Sequence, residues 1–172
     1  MENMKLIAPN NLQESVIDLI GKEWMLVSAG NAEGFNSMTA SWGSIGYQFN
    51  CNVATIVVRP ERYTYEFIEN STHFTLTILA EGHRDALMVM GRNSGRDCDK
   101  VAKSGLTPCF TPSGNPTYKE ARIVLECRKI YAQMMDAEAF IGRSLIDKWY
   151  DDTHGNLHKM YMGEIENCWI AE

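Results

Sequence analysis

No apolar run in these 172 residues approaches the roughly 20 needed to cross a bilayer, and no CxxC pair joins any of the five cysteines. The first absence predicts a protein that keeps out of membranes. The second removes the dithiol redox motif and the usual half of a zinc site, so Cys51, Cys98, Cys109, Cys127 and Cys168 read as reduced, mostly buried thiols. Also missing are GxGxxG after a strand, GxxxxGK[ST], HExxH and GxSxG, which leaves nucleotide-fold, P-loop, zincin and hydrolase chemistry without local support. Positive charge is short as well. Sixteen Lys and Arg against 22 Asp and Glu give a formal net charge of -6, unfavourable for DNA or RNA. His154 and His158 have metal-like spacing, but the intervening Gly155-Asn156 breaks the helical face, so the pair reads as structural and no metal site is expected.

What is present is an ordinary globular composition, 45% apolar and 22% charged, in a chain long enough for one well-buried core. Residues 1–172 are therefore expected to form a single domain. The stretch MENMKLIAPNN has one lysine and no extended apolar region, so a cytoplasmic location is expected.

Periodicity divides the chain into strands with helices inserted irregularly between them. A short amphipathic helix is predicted over Asn10 to Ile20, closed by Gly21, and a strand over Trp24 to Ala29 running into a hairpin at Gly30-Asn31 and Glu33-Gly34. Asn36 to Phe49 reads as one Ser/Thr/Gly-rich strand, and Asn52 to Val58 as a strand apolar on both faces. Pro60 suits the first turn of a helix running to about Asn70. His73 to Leu79 alternates like a half-exposed strand. Arg84 to Met90 and Asp97 to Lys103 read as short helices, Thr107 to Thr117 as irregular, and Arg122 to Met134 as a long strand or hairpin pair. Asp136 opens the clearest helical pattern, with Phe140, Ile141, Leu145 and Trp149 as a core stripe. Leu157 to Ile165 reads as a last strand. This irregular alternation favours an α+β, mainly β, Greek-key antiparallel barrel with inserted helices over a doubly wound parallel sheet.

Two segments carry candidate chemistry. In NSMTASW, residues 36–42, alternation places Ser37, Thr39 and Ser41 in one polar row, while Met38 and Trp42 offer soft apolar surface for a flat ring. The same residues also suit a plain edge strand with a core tryptophan. In RPERYTYEFI, residues 59–68, Arg59 and Arg62 flank Pro60, and Tyr63 and Thr64 fall in a helical first turn whose free N–H groups and dipole favour a dianion. An Arg62 paired with Glu61 or Glu66 on a solvated face accounts for this segment equally well. Asp97, Asp99 and Glu164 are acid-base candidates that no spacing pairs.

With SGRDCDK at Ser94 to Lys100 and YMGEI at Tyr161 to Ile165, the four segments resemble the flavin reductase family in its flavoredoxin-like branch, in order, from about Trp24 to Trp169. The resemblance implies the FMN-binding split-barrel fold, a homodimer and non-covalent FMN. It implies that Asn36, Ser37, Met38, Thr39, Ala40, Ser41 and Trp42 line the isoalloxazine and ribityl chain, and that Arg59, Tyr63, Thr64 and Lys100 contact the phosphate. It also implies electron transfer from NAD(P)H, or from a redox protein partner, through FMN to an acceptor. No catalytic side chain is required, because the cofactor carries hydride chemistry. A non-catalytic FMN-binding electron carrier and a pyridoxamine-phosphate-oxidase-like split barrel are the alternatives.

Overall fold

The computed structural model describes Met1, residues 3–151 and 155–172. Its strands are β1 (Met4–Ile7), β2 (Met25–Asn31), β3 (Gly34–Ala40), β4 (Gly43–Gln48), β5 (Cys51–Val58), β6 (His73–Leu79), β7 (Pro108–Phe110), β8 (Pro116–Tyr118), β9 (Ala121–Met134) and β10 (Lys159–Ala171). The α-helices are α1 (Val16–Asp18), α2 (Tyr63–Asn70), α3 (Arg84–Arg92), α4 (Lys100–Ser104) and α5 (Ser144–Trp149).

The main sheet runs β3-β2-β6-β9-β10-β5-β4, with β1 added along the far end of β10, and every pairing is antiparallel. Its two edges, β3 and β4, are neighbours in sequence yet do not pair. Only Ser41 and Trp42 separate them, so the sheet must curl until its edges meet at that corner and part elsewhere. The result is an open, split barrel.

Alternation along the strands fills the barrel. Val27 and Ala29 of β2, Ile56 and Val58 of β5, Phe74 and Leu76 of β6, and Ile123 and Leu125 of β9 pack in one cluster. Each fully buried side chain of this size contributes about 2 kcal/mol relative to exposure. Gly163 on β10 is required by close approach, since a Cβ there would stand 2.7 Å from the Cys127 Cβ and 2.8 Å from the Phe74 ring.

A second cluster covers the outer face of β2, where Leu26 meets Leu87 and Met90 of α3, Leu106 and Tyr118. This layer accounts for two departures from the sequence pattern. Residues 107–117 are not irregular: β7 and β8 pair as a small hairpin, with Pro108 and Pro116 at strand starts, where no ladder N–H is needed. Beneath it β6 is buried on both faces, because Thr75 donates to the Pro116 carbonyl and Thr77 bonds the Thr117 hydroxyl, at 2.5 and 2.8 Å. Threonines that looked solvent-facing are satisfied inside.

Other elements also differ. Asn36 to Phe49 is two strands broken at the Ser41-Trp42 corner rather than one. Residues 10–20 hold only a 3-10 turn at Pro9–Asn11 and the single turn α1, since the helix starts at the Ser15 cap and passes into a π-helix at Leu19–Glu23. Pro60 precedes α2 in a turn closed by the Arg62 N–H on the Arg59 carbonyl, and Arg62 is the N-cap. The stripe after Asp136 is not core. Asp136 caps one 3-10 turn, the chain breaks around Gly142, and Ile141 is 100% exposed and Leu145 48%. Arg122 to Met134 is one strand within β9, and His154 lies outside the described residues.

Candidate functional site

The corner between β3 and β4 brings the two marked segments together. Asn36, buried on β3, donates from Nδ2 to the Thr64 hydroxyl in the first turn of α2 at 2.6 Å. Neighbouring Ser37 points to the opposite face, where its hydroxyl meets Ser28 Oγ at 2.6 Å and accepts from the Tyr118 hydroxyl at 2.7 Å. The Ser37, Thr39 and Ser41 row is thus divided: Ser37 is sealed beneath β8, while Thr39 and Ser41 reach a cavity. Thr39 Oγ1 donates to the Leu87 carbonyl of α3 at 2.5 Å, which ties the strand to the outer layer.

That cavity has a volume of about 410 Å3. One wall is Met38, Thr39, Ala40, Ser41 and Trp42, and Val57 of β5 faces them. Trp149 at the end of α5 meets Trp42 edge to face, centroids 5.1 Å apart and planes at 86°. His158 lies 5.3 Å from Trp42 and bonds the Tyr150 hydroxyl through Nδ1 at 2.9 Å. Burial, reinforced by Arg59, lowers His158 from 6.5 to about 4, so it lines the cavity as a neutral ring at neutral pH.

The opposite character comes from Arg59 and Arg62, both facing the cavity. Arg59 donates from Nη2 to the Trp149 carbonyl at 2.9 Å and from Nη1 to the Asn156 carbonyl at 3.0 Å. Arg62 donates to the Gly91 carbonyl at 2.8 Å, and burial lowers its pKa. Neither forms an ion pair with a carboxylate among the described residues. Each guanidinium has five N–H donors, so these bonds leave donors for a ligand. Two cations held beside an aromatic wall suit a molecule that joins a flat ring to an anion.

Tyr63, Thr64 and Lys100 are not on the wall of this cavity, and Tyr63 instead faces a separate hollow with Gly30, Glu66 and Asn70. Tyr63 meets Phe67 edge to face with centroids 5.0 Å apart and lies under the Arg96 guanidinium, which also pairs with Glu66. Lys100, 3% exposed, directs Nζ to the Met90 and Asn93 carbonyls at the end of α3, both at 3.4 Å. There it meets the negative end of the helix dipole. Burial, then repulsion from Arg62, lowers it to about 8. Val57, Trp149 and His158 are wall residues that the sequence did not assign to this site. Trp149 carried a helical-stripe signal that mimicked core, and His158 stands out only for its spacing from His154, which points to a metal and not to this wall.

The family model described as flavin reductase like domain matches residues 18–172. No curated protein matches. Among solved structures, the FMN-binding domain of a flavin reductases-like enzyme from Shewanella baltica OS155 is 19% identical with a TM-score of 0.71, covering 98% of this chain and 78% of that one. The flavoredoxin of Desulfovibrio vulgaris (Miyazaki F) is 22% identical with a TM-score of 0.66, covering 87% and 69%. Nitrilotriacetate monooxygenase component B from Bacillus cereus is 19% identical with a TM-score of 0.66, covering 96% and 81%. At these identities the likeness concerns the fold.

Proposed function

The chain belongs to the flavin reductase like domain family, and from that premise we propose that the 410 Å3 cavity holds FMN without a covalent bond. The observation that carries this reading is the convergence of Arg59 and Arg62 with Trp42 on one cavity. Its volume lies within the range of ordinary small-molecule sites. The donor set fits the group: guanidinium N–H for phosphate, Thr39 and Ser41 hydroxyls for a polyol chain, and Met38, Ala40, Val57 and Trp42 for a ring. Bound FMN supplies hydride and electron chemistry; the protein supplies position and charge.

We further assign the protein an oxidoreductase activity, from NAD(P)H through FMN to an acceptor, in a cytoplasmic homodimer. Neutral His158 adds no third positive charge to a cavity that already holds Arg59 and Arg62, and Trp42 meets Trp149 edge to face on its wall. Tyr47 and Phe49, 68% and 65% exposed, are apolar surface for a second copy to cover. Steady-state oxidation of NADH or NADPH with added FMN tests the activity. Turnover with either nucleotide supports it, and FMN binding without turnover leaves an electron carrier in its place.

A further inference from the structure

The turn that brings Arg59 and Arg62 to the cavity also carries a carboxylate, Glu61, that is not on the cavity wall. This turn is braced twice, by the Arg62 N–H on the Arg59 carbonyl at 3.0 Å and by Arg96 Nη1 on the Glu61 carbonyl at 3.1 Å. From that base Glu61 Oε1 accepts from both the backbone N–H and the side-chain Nδ2 of Asn156, at 2.9 and 2.8 Å. The Asn156 carbonyl takes Arg59 Nη1 at 3.0 Å, and the Trp149 carbonyl takes Arg59 Nη2 at 2.9 Å. Asn156 is thus gripped by the cation through its acceptor and by the carboxylate through its donors. Burial opposes the charge on Glu61, but the Asn156 donors and Arg59 outweigh it and hold the carboxyl below its usual range, so at neutral pH these are bonds to an ion.

Two rings of the cavity wall depend on this grip. Trp149 is one of the tied residues, and His158 lies two residues past the other. Both rings rest on Trp42, with centroids 5.1 and 5.3 Å away. Gly155 shows how tightly the parts fit: its φ is +89°, and a Cβ there would stand 3.1 Å from both Arg59 Nη1 and Glu61 Oε1. Without Glu61 the wall would hang on Arg59 alone, and a bound anion would compete with it for the same guanidinium.

We propose that Glu61 is a positioning residue of the cavity: through Asn156 it holds the Trp149 and His158 rings against Trp42, so the turn that presents the arginines also sets the wall around the ligand's ring. That this ring is a flavin's rests on the FMN reading; the placement of the wall does not.

Glu61→Ala, Gly155→Ala and Glu61→Gln, each in the full chain, test this by two readings. Glu61 and Gly155 are exposed, so none of these changes cuts into the core. In flavin-free protein, the exciton couplet of the Trp42 and Trp149 indoles in circular dichroism, identified by its loss in Trp149→Phe, should weaken in both alanine variants. It should persist in Glu61→Gln, whose amide oxygen still accepts from Asn156. Riboflavin carries no phosphate to sense the charge of Glu61, and in a fluorescence titration it should bind about fivefold more weakly to both alanine variants and within about twofold of wild type to Glu61→Gln. A couplet unchanged in both alanine variants overturns the proposal. So does riboflavin bound equally by wild type and both alanine variants, or a Glu61→Gln protein as impaired as Glu61→Ala. A wild type that binds no flavin, with the couplet following the variants as expected, sinks the FMN reading and upholds the placement of the wall.

Discussion

Asn36 Nδ2 donates to Thr64 Oγ1 across 2.6 Å, with both side chains closed to water. Twenty-eight residues of chain separate the partners, so this one bond fixes where the first turn of α2 stands relative to β3. The cavity exists because that relationship holds: Met38 to Trp42 continue from one partner, and Arg62 immediately precedes the other's turn.

Removing the donor with Asn36→Ala should cost about 1–3 kcal/mol, since the Thr64 hydroxyl is left buried without it. Thr64→Val in that background should cost little more. A double-mutant cycle by urea unfolding should return a coupling of about 1 kcal/mol, and strictly additive losses would contradict the bond's role.

Lys100 makes stability depend on alkaline pH. An unfolded chain keeps this proton up to about 10.5, whereas the folded protein releases it from about 8. Between these values the unfolded state binds more protons, so folding gains stability as pH rises from 8 to 10.5 and bears the full cost below 8. The span is at most roughly 3 kcal/mol. Lys100→Met should flatten the rise in urea midpoint across this window; parallel profiles for the two proteins would contradict the assignment.

His158 acts at the acid end. The unfolded imidazole takes up a proton below about 6.5, the folded one only near 4, so stability falls as pH drops through that interval and levels out beneath it. An NMR titration of the His158 ring should give a midpoint below 5. A midpoint near 6.5 would mean that the ring is solvated and that the cavity wall is open there.

Much of the barrel was legible because its signals are local and redundant. The Gly30 to Gly34 turn, the doubly apolar Asn52 to Val58 and the Pro-bounded Arg59 to Asn70 segment each match an observed hairpin, strand or helix. What failed was what depends on distant partners. Thr75 and Thr77 wear the pattern of an exposed face, and only bonds to the hairpin about forty residues on make them interior. Phe140, Ile141 and Leu145 wear the pattern of a core, yet none of the described residues covers Ile141, which is fully exposed.

The site shows the same division. Residues 38–42, together with Arg59 and Arg62, were marked by composition and meet in one cavity. The buried place of Ser37 was hidden, because its partners Ser28 and Tyr118 belong to other strands. Trp149 and His158 reach the wall only through the return of the chain from α5 into β10, which no spacing within either segment encodes.

The most direct test of the central claim is a flavin fluorescence titration of the wild-type, Arg59→Ala and Arg62→Ala proteins with FMN and with riboflavin. Arg59 also holds the Trp149 and Asn156 carbonyls, so the quantity to read is the difference between the two ligands. Phosphate held by the two guanidiniums makes wild-type binding of FMN tighter than riboflavin by about tenfold or more, and each substitution should reduce that preference by a factor on the order of 10. Equal affinities for the two flavins in the wild type, or equal losses for both on substitution, would contradict it.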